Sequence, residues 1–314
     1  PIKIKQRLNI KDNNINLIKN VIKFKYENNT FNVVGNGKLK IDENENDINY
    51  QISKEKEKIN FKSDIQLKNL PFDLKIIDYK NNSNLKITFN GLFNKNSEIY
   101  LDKFELKNST DEFKITKLLI NKNRKIKKFD SLSLNFKNQS NIKNDLQINR
   151  DKNNYIVNGK VFDMTNFIND LLFEESNKNN FLFNDKKKNF LFNLKKVYLH
   201  KDYFVTKFIG NISFNKNKIE DAKFDGKFSD GKVVSFKVFN KNKSKITTFY
   251  SELAEPLVKK YDFIKGFNGG VLDFYSIERK SFSESQLKIY DFKVKKIPAL
   301  AKLLTLASLQ GIAD

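Results

Sequence analysis

The sequence predicts a mainly β protein, a long twisted antiparallel sheet with about three short helices in its C-terminal half. Three observations lead there. Apolar and polar side chains alternate over many short stretches, Asn/Lys/Asp/Gly clusters separate those stretches at hairpin-like spacing, and three segments change to a helical period.

The cleanest alternation is Ser131-Leu132-Ser133-Leu134-Asn135-Phe136-Lys137, which sends every second side chain to one face of a strand. Ile65-Gln66-Leu67-Lys68, Leu85-Lys86-Ile87-Thr88-Phe89-Asn90 and the run Leu287 to Val294 repeat it. Asn81-Asn82-Ser83-Asn84 and Asn94-Lys95-Asn96-Ser97 are expected turns, because Asn tolerates left-handed backbone and bonds its own main chain.

Phe162 to Glu175 spaces Met164, Phe167, Ile168, Leu171 and Leu172 as a helix does. Ser251 to Ile264 does the same with Leu253, Leu257, Val258, Tyr261 and Ile264, and Glu252 and Glu255 suit its first turn. Pro298 to Leu309 has Pro near its start, Gly311 past its end and apolar residues almost all round, so it must be buried or touch lipid. Residues 174–190 read as a loop insertion. They make a soft boundary between a repetitive β array, 1–154, and a β-plus-helix part, 155–314.

The chain of 314 residues begins at Pro1, ends at Asp314 beyond an apolar stretch, and is expected to be a piece of a longer protein. No run of 18 or more apolar residues could span a bilayer as a helix. A formal charge of +22 invites a nucleic-acid reading, but the arginines are only Arg7, Arg124, Arg150 and Arg279. Phosphate and base recognition favours the planar Arg fork over Lys, and the Lys/Asn/Ile/Phe excess has the look of drift in an AT-rich genome, so no nucleic-acid partner is expected. An aromatic content of 13%, spread along the chain, argues against disorder.

Candidates for chemistry are few. With no cysteine, disulfides, thiolate catalysis and Cys-based metal sites are excluded. His200 is the single histidine, expected at a strand edge in a solvated or turn role. Asp221, Asp225 and Asp230 lack the D-x-D-x-D-G order of a calcium loop, and their Asp-Gly pairs read as hairpin turns. Gly266, Gly269 and Gly270 make no phosphate-binding G-x-G-x-x-G. A non-enzyme with no cofactor and no metal is expected.

From about Tyr155 the order of motifs resembles the AsmA-like C-terminal region of YhdP-type (TamB-related) envelope proteins. The matching pieces are Val157-Asn158-Gly159-Lys160-Val161-Phe162-Asp163-Met164, the Asp-Gly hairpin Lys223 to Lys232, and Tyr261 to Leu272 with its Gly269-Gly270 turn. The most specific is the strand from Tyr290 followed by Ile297-Pro298-Ala299-Leu300-Ala301-Lys302-Leu303-Leu304 and Gly311. The chain departs from the family by stopping where a strand should follow the last helix, and by its many lysines.

The resemblance implies an apolar groove along the sheet and a periplasmic protein held at the inner membrane through a segment outside 1–314. The implied activity is phospholipid transfer toward the outer membrane, with membranes at either end and other envelope proteins as partners. Its groove-facing residues would include Leu85, Ile87, Phe89, Leu132, Leu134, Phe136, Phe224, Phe228, Phe236 and Val238. Each methylene exposed to water costs about 0.8 kcal/mol, so two acyl chains face a cost on the order of 20 kcal/mol that a trough removes without catalysis.

Alternation in a β protein more often fills a closed core, and a structural or adaptor protein of the envelope is the alternative. An outer-membrane barrel fits less well, because many strands fall short of nine residues and Lys punctuates apolar runs such as Ile2-Lys3-Ile4-Lys5. Lysine on the outer face would keep sheet edges from pairing, and lysine near a groove mouth would attract anionic head groups.

Overall fold

A computed structural model of the chain describes residues 15–41, 43–68, 72–94, 97–166, 187–200, 202–215, 218–260, 265–279 and 282–294. Its strands in chain order are β1 (Ile15–Glu27), β2 (Thr30–Ile41), β3 (Asn44–Glu55), β4 (Lys58–Leu67), β5 (Phe72–Leu74), β6 (Tyr79–Asn81) and β7 (Leu85–Phe93). Next come β8 (Ile99–Lys107), β9 (Glu112–Ile120), β10 (Ile126–Lys128), β11 (Ser131–Lys137), β12 (Lys143–Asp151), β13 (Asn154–Asp163) and β14 (Lys188–His200). The last are β15 (Tyr203–Asn215), β16 (Lys218–Lys227), β17 (Val233–Lys241), β18 (Ser244–Ser251), β19 (Phe267–Glu278) and β20 (Ser283–Val294).

All but β5 and β6 join one sheet of 18 strands. Each strand pairs with the next in the chain, β4 passing to β7 and β9 to β11, while β10 lies beside the end of β9 on the edge it shares with β11. β1 and β20 each pair on one side only among the described residues, so the sheet does not close. The expected strands at 65–68, 85–90, 131–137 and 287–294 fall in β4, β7, β11 and β20, with Lys68 just past the end of β4.

The turns show why this composition folds as hairpins. Asn94, Asn121 and Asn138 each end a strand, and their backbone N–H groups donate across the loop to the carbonyls of Glu98, Lys125 and Ile142 at 3.2, 3.0 and 3.1 Å. Their side-chain oxygens accept from the backbone N–H of those same three residues. The third residue along (Ser97, Arg124, Asn141) is left-handed with φ of 56–61°, the geometry of a type I turn followed by a bulge. Phe228 to Lys232 repeats it with Gly231 at φ 87°. Two-residue turns at Asn28-Asn29 and Asn242-Lys243 have both residues left-handed, the hand that matches strand twist.

Three expectations are corrected. The sheet is mixed, because β14 runs parallel to β13 from Asn154↔Asn189 to Asp163↔Tyr198. A parallel neighbour needs a long crossover, and residues 164–187 supply its length. Among the described residues there is one α-helix, α1 (Glu255–Lys260), where three were expected. Phe162 and Asp163 belong to β13, where pairing with Val197 and Tyr198 overrides their helical spacing. Thr165 and Asn166, just past β13, are helical, while the remainder of that segment from Phe167, and all of Pro298 to Leu309, lie outside the described residues. Finally, Asp225-Gly226 lies among the turn-proximal last residues of β16, paired opposite Ser235 and Val234, and only Asp230-Gly231 forms a turn. The expected division at 154/155 falls inside β13, across which the pairing is continuous.

Two small elements cover part of the sheet's apolar face. β5 and β6 make a separate hairpin around a 3₁₀ turn, Lys75–Ile77, and left-handed Asp78 (φ 53°). From it Tyr79, fully buried, packs on Phe113 and Phe136 at ring separations of 4.7 and 5.4 Å. Asp78 is held by Gln139 and Ser140 of the β11–β12 turn. At the other end of the molecule α1 packs Val258 against Phe267 and Leu272. Glu255 ties α1 down by accepting from Tyr203 Oη (2.8 Å) and the Gly269 N–H (2.9 Å) and by pairing with Lys259.

Candidate functional site

Register carries one row of side chains across the whole sheet. It starts Ile22↔Gly35↔Tyr50↔Ser63↔Phe89↔Phe104↔Ile115 through β1 to β9. It continues Leu132↔Ile148↔Val157↔Phe192↔Gly210 through β11 to β15. It ends Phe224↔Phe236↔Phe249↔Phe274↔Leu287 through β16 to β20. Ser63 and the Tyr50 hydroxyl are the polar groups in this row. At about 4.8 Å per strand step the row extends on the order of 75 Å.

The row one residue over, on the opposite face, has another character. Lys23, Lys62, Asn90, Lys103, Thr116, Ser131, Asn149, Asn211, Lys223, Lys237 and Gln286 occupy it, interrupted by Val34, Ile156, Leu191 and Tyr275. Two faces of opposite polarity therefore persist through every strand. They persist because bulges restore register where it slips, as at Lys19 (φ 51°) in β1 and Lys207 (φ 50°) in β15.

Burial along the apolar face is uneven. Below the central row, Leu85, Leu106, Phe113 and Phe136 are sealed under the β5–β6 hairpin, and Leu194, Val197, Val205, Phe208 and Phe228 form an adjoining core with Met164. The central row itself is mostly half-buried, and its ends are open, with Ile22 57% and Leu287 50% exposed. Within it Phe224 meets Phe192 at 5.3 Å and Phe236 at 6.5 Å, so the C-terminal part is lined by contacting rings.

Of the ten candidate groove residues nine fall on strands, and Phe228 begins the β16–β17 turn. Ile87, Phe89, Leu132, Leu134, Phe224 and Phe236 are half-buried on the apolar face. Leu85, Phe136, Phe228 and Val238 are fully buried among neighbours. Sequence reading missed Phe104, Ile115, Phe192, Phe249 and Phe274, which complete the row. The local signal was present, for example in Phe190-Leu191-Phe192-Asn193-Leu194, but alternation does not say which strands stand side by side.

Several of the other polar groups have structural roles. His200 closes β14, its Nδ1 3.9 Å from Asp202, in the expected turn setting. Asp111 accepts from Tyr79 Oη and Asn108. Burial, reinforced by that carboxylate, holds the Tyr79 phenol far above its ordinary pKa. Glu255 is pushed up by burial, but its bonds to Lys259, Gly269 and Tyr203 prevail and leave it below the ordinary carboxylate range. Among the described residues no group of three or more His, Cys, Asp or Glu is placed to hold a metal, and no helix is long and apolar enough to cross a membrane.

No family model, curated protein or solved structure matches this chain.

Proposed function

We propose that the chain is a non-catalytic lipid carrier of the AsmA-like, YhdP type, whose apolar sheet face is a groove for phospholipid acyl chains. The observation that carries this reading is the central row, one residue from each successive strand, apolar nearly throughout and left half-open. A closed domain of ordinary design would bury its largest apolar side chains under a second layer. Among the described residues the two covering elements seal one side of the face, and of the row's apolar side chains only Val157 is fully buried. A hydrocarbon chain lying along it would meet Phe, Ile and Leu side chains for its whole length, at no cost in unsatisfied polar groups.

On this reading the protein works in the periplasm, held at the inner membrane through a segment outside 1–314, and passes phospholipid toward the outer membrane. The alternative, a structural or adaptor protein of the envelope with a filled core, draws support from Leu85, Phe136, Phe228 and Val238, which are packed as core.

Native mass spectrometry of the protein, purified from a lipid-containing host, separates the two. Bound phospholipid that disappears in Phe236→Glu, with the β circular-dichroism signal kept, supports the groove. A folded protein free of lipid favours the filled-core reading.

A further inference from the structure

Both rims of the sheet, where the hairpin turns lie, carry exposed cations without an ion-pair partner among the described residues (Lys75, Lys137, Lys143, Lys227 and Lys265 on the first), and they differ in the backbone positions those cations hold. One rim gathers the β2–β3, β8–β9, β11–β12, β14–β15 and β16–β17 turns, the β5–β6 hairpin and α1. Its acidic groups are engaged internally. Asp78 is held by Gln139 and Ser140, Asp111 by Tyr79 and Asn108, Glu252 by the Val233 N–H, and Asp230 by Lys232.

The opposite rim gathers the β1–β2, β3–β4, β7–β8, β9–β10, β12–β13, β17–β18 and β19–β20 turns. Lys56, Lys122, Arg124, Lys152 and Lys243 stand there exposed, and none has a carboxylate within ion-pair distance among the described residues. Four of the five occupy left-handed positions: Lys56 (φ 54°), Arg124 (φ 60°), Lys152 (φ 53°) and Lys243 (φ 61°). Gly and Asn relieve such positions best, and this Asn-rich chain places Asn there at Asn28, Asn29 and Asn141. Long cations at these sites go against local backbone preference; Lys19, Lys117 and Lys207 do the same at bulges within strands, so it is the joint exposure of the turn cations along one rim that marks them.

Beside these cations the same rim exposes Tyr26, Ile59, Phe93 and Phe282. Ile59 and Phe93 face each other across β4 and β7 near the β3–β4 turn, and Arg279 lies 5.0 Å over the Phe282 ring. Free cations interleaved with exposed aromatic and aliphatic tips match the interface of an anionic bilayer, where charge meets head groups and rings sit at the acyl boundary. A single-stranded nucleic acid would also gain from the cations and could stack bases on Tyr26 or Phe93, but the aliphatic Ile59 and the single arginine among the five cations favour the membrane.

We infer that this rim is a docking surface for anionic lipid membranes. The inference deepens the lipid reading and rests on it for its role, since the rim borders the open apolar row and would receive lipid there.

The test is co-sedimentation of the whole chain with phosphatidylcholine vesicles, with and without phosphatidylglycerol. A rim variant combines K56N, K122S, R124G, K152N and K243N, substitutions that suit the turns. A control removes the same charge from the outer face with K23S, K62S, K103S, K223S and K237S. The expected result is binding that requires phosphatidylglycerol, weakens with salt, falls at least about tenfold in the rim variant, and is largely kept in the control.

Equal loss in both variants, no binding by the unaltered chain, or tighter binding to a single-stranded oligonucleotide than to the vesicles would overturn the inference. Phe236→Glu keeps the two proposals apart. It should retain vesicle binding while losing bound lipid, so a failed groove leaves the rim result standing and a failed rim leaves the groove result standing.

Discussion

Phe136 and Phe236 occupy the same kind of position, an apolar residue on the inner face of a polar-alternating strand, and the fold treats them differently. Phe136 in β11 is 1% exposed, stacked on Phe113 at 5.2 Å and covered by Tyr79. Phe236 in β17 lies half-buried between Phe224 and Phe249, without a covering element among the described residues. Period-two spacing decides which face a side chain takes, and a separate segment of chain decides whether that face becomes core. In the N-terminal half that segment is the ten-residue stretch from Phe72 to Asn81, whose own pattern gives little hint of its partner.

The sharpest way to break the comparison is to put a charge at each position. Phe136→Glu should lose more than about 4 kcal/mol, enough to unfold a domain of ordinary stability, because a carboxylate would lie in a sealed apolar site. Phe236→Glu should lose less than half of that, since its side chain can reach water. Urea denaturation followed by circular dichroism measures both, and equal losses would mean that the row is core.

Next comes the cover itself. Tyr79→Phe removes a buried hydroxyl from Asp111 and should cost about 1 kcal/mol in the same titration. The phenol also predicts an alkaline limit. Its folded pKa lies above its unfolded value near 10, so its contribution is complete below pH 10 and is lost as pH rises toward the folded value. Tyr79→Phe should therefore reduce the destabilisation that unaltered protein shows above pH 10, and an unchanged alkaline profile would exclude Tyr79 as its source.

A strand-end lock should cost a comparable amount. Asn144, fully buried, accepts from the Asp163 N–H at 2.7 Å and donates to the Ile142 carbonyl at 3.1 Å. Asn144→Ala leaves both groups without that partner and should cost about 1–3 kcal/mol. Asn46 makes the equivalent link from β3 to the Lys68 N–H at 2.7 Å, so Asn46→Ala should match it. A loss at one site and none at the other would show that the two ends of the sheet do not depend alike on such locks.

The smallest effect is a gain. Arg124→Gly relieves a left-handed side chain in an exposed turn and should stabilise the fold by about 0.5–1 kcal/mol. Asn141→Gly should gain less, since Asn already suits that conformation. Melting temperatures of the two variants order them.

Much of the fold was legible locally. The run Ser131 to Lys137 is β11 to the residue; Asn82 to Asn84, Asn94 and Ser97 fall between strands as expected, while Asn81 closes β6. Helical spacing misled at Phe162, where sheet pairing prevails, because local propensity is weak beside a ladder of backbone bonds. The parallel β13–β14 pair was not legible, since a crossover length sets no direction until both strands are placed. Of the site, six of the ten expected residues lie half-open on the apolar face. The other four are as apolar and as well spaced, and differ only in what covers them.

By itself the sequence determined the β class, the two-faced strands and the hairpin turns, because side-chain period and left-handed Asn geometry act within a few residues. The tertiary structure alone decided strand neighbours, the half-open row among the described residues and the sealed floor beside it. Those depend on contacts between residues far apart in the chain, where register, bulges and a ten-residue flap choose among arrangements that local pattern leaves equal.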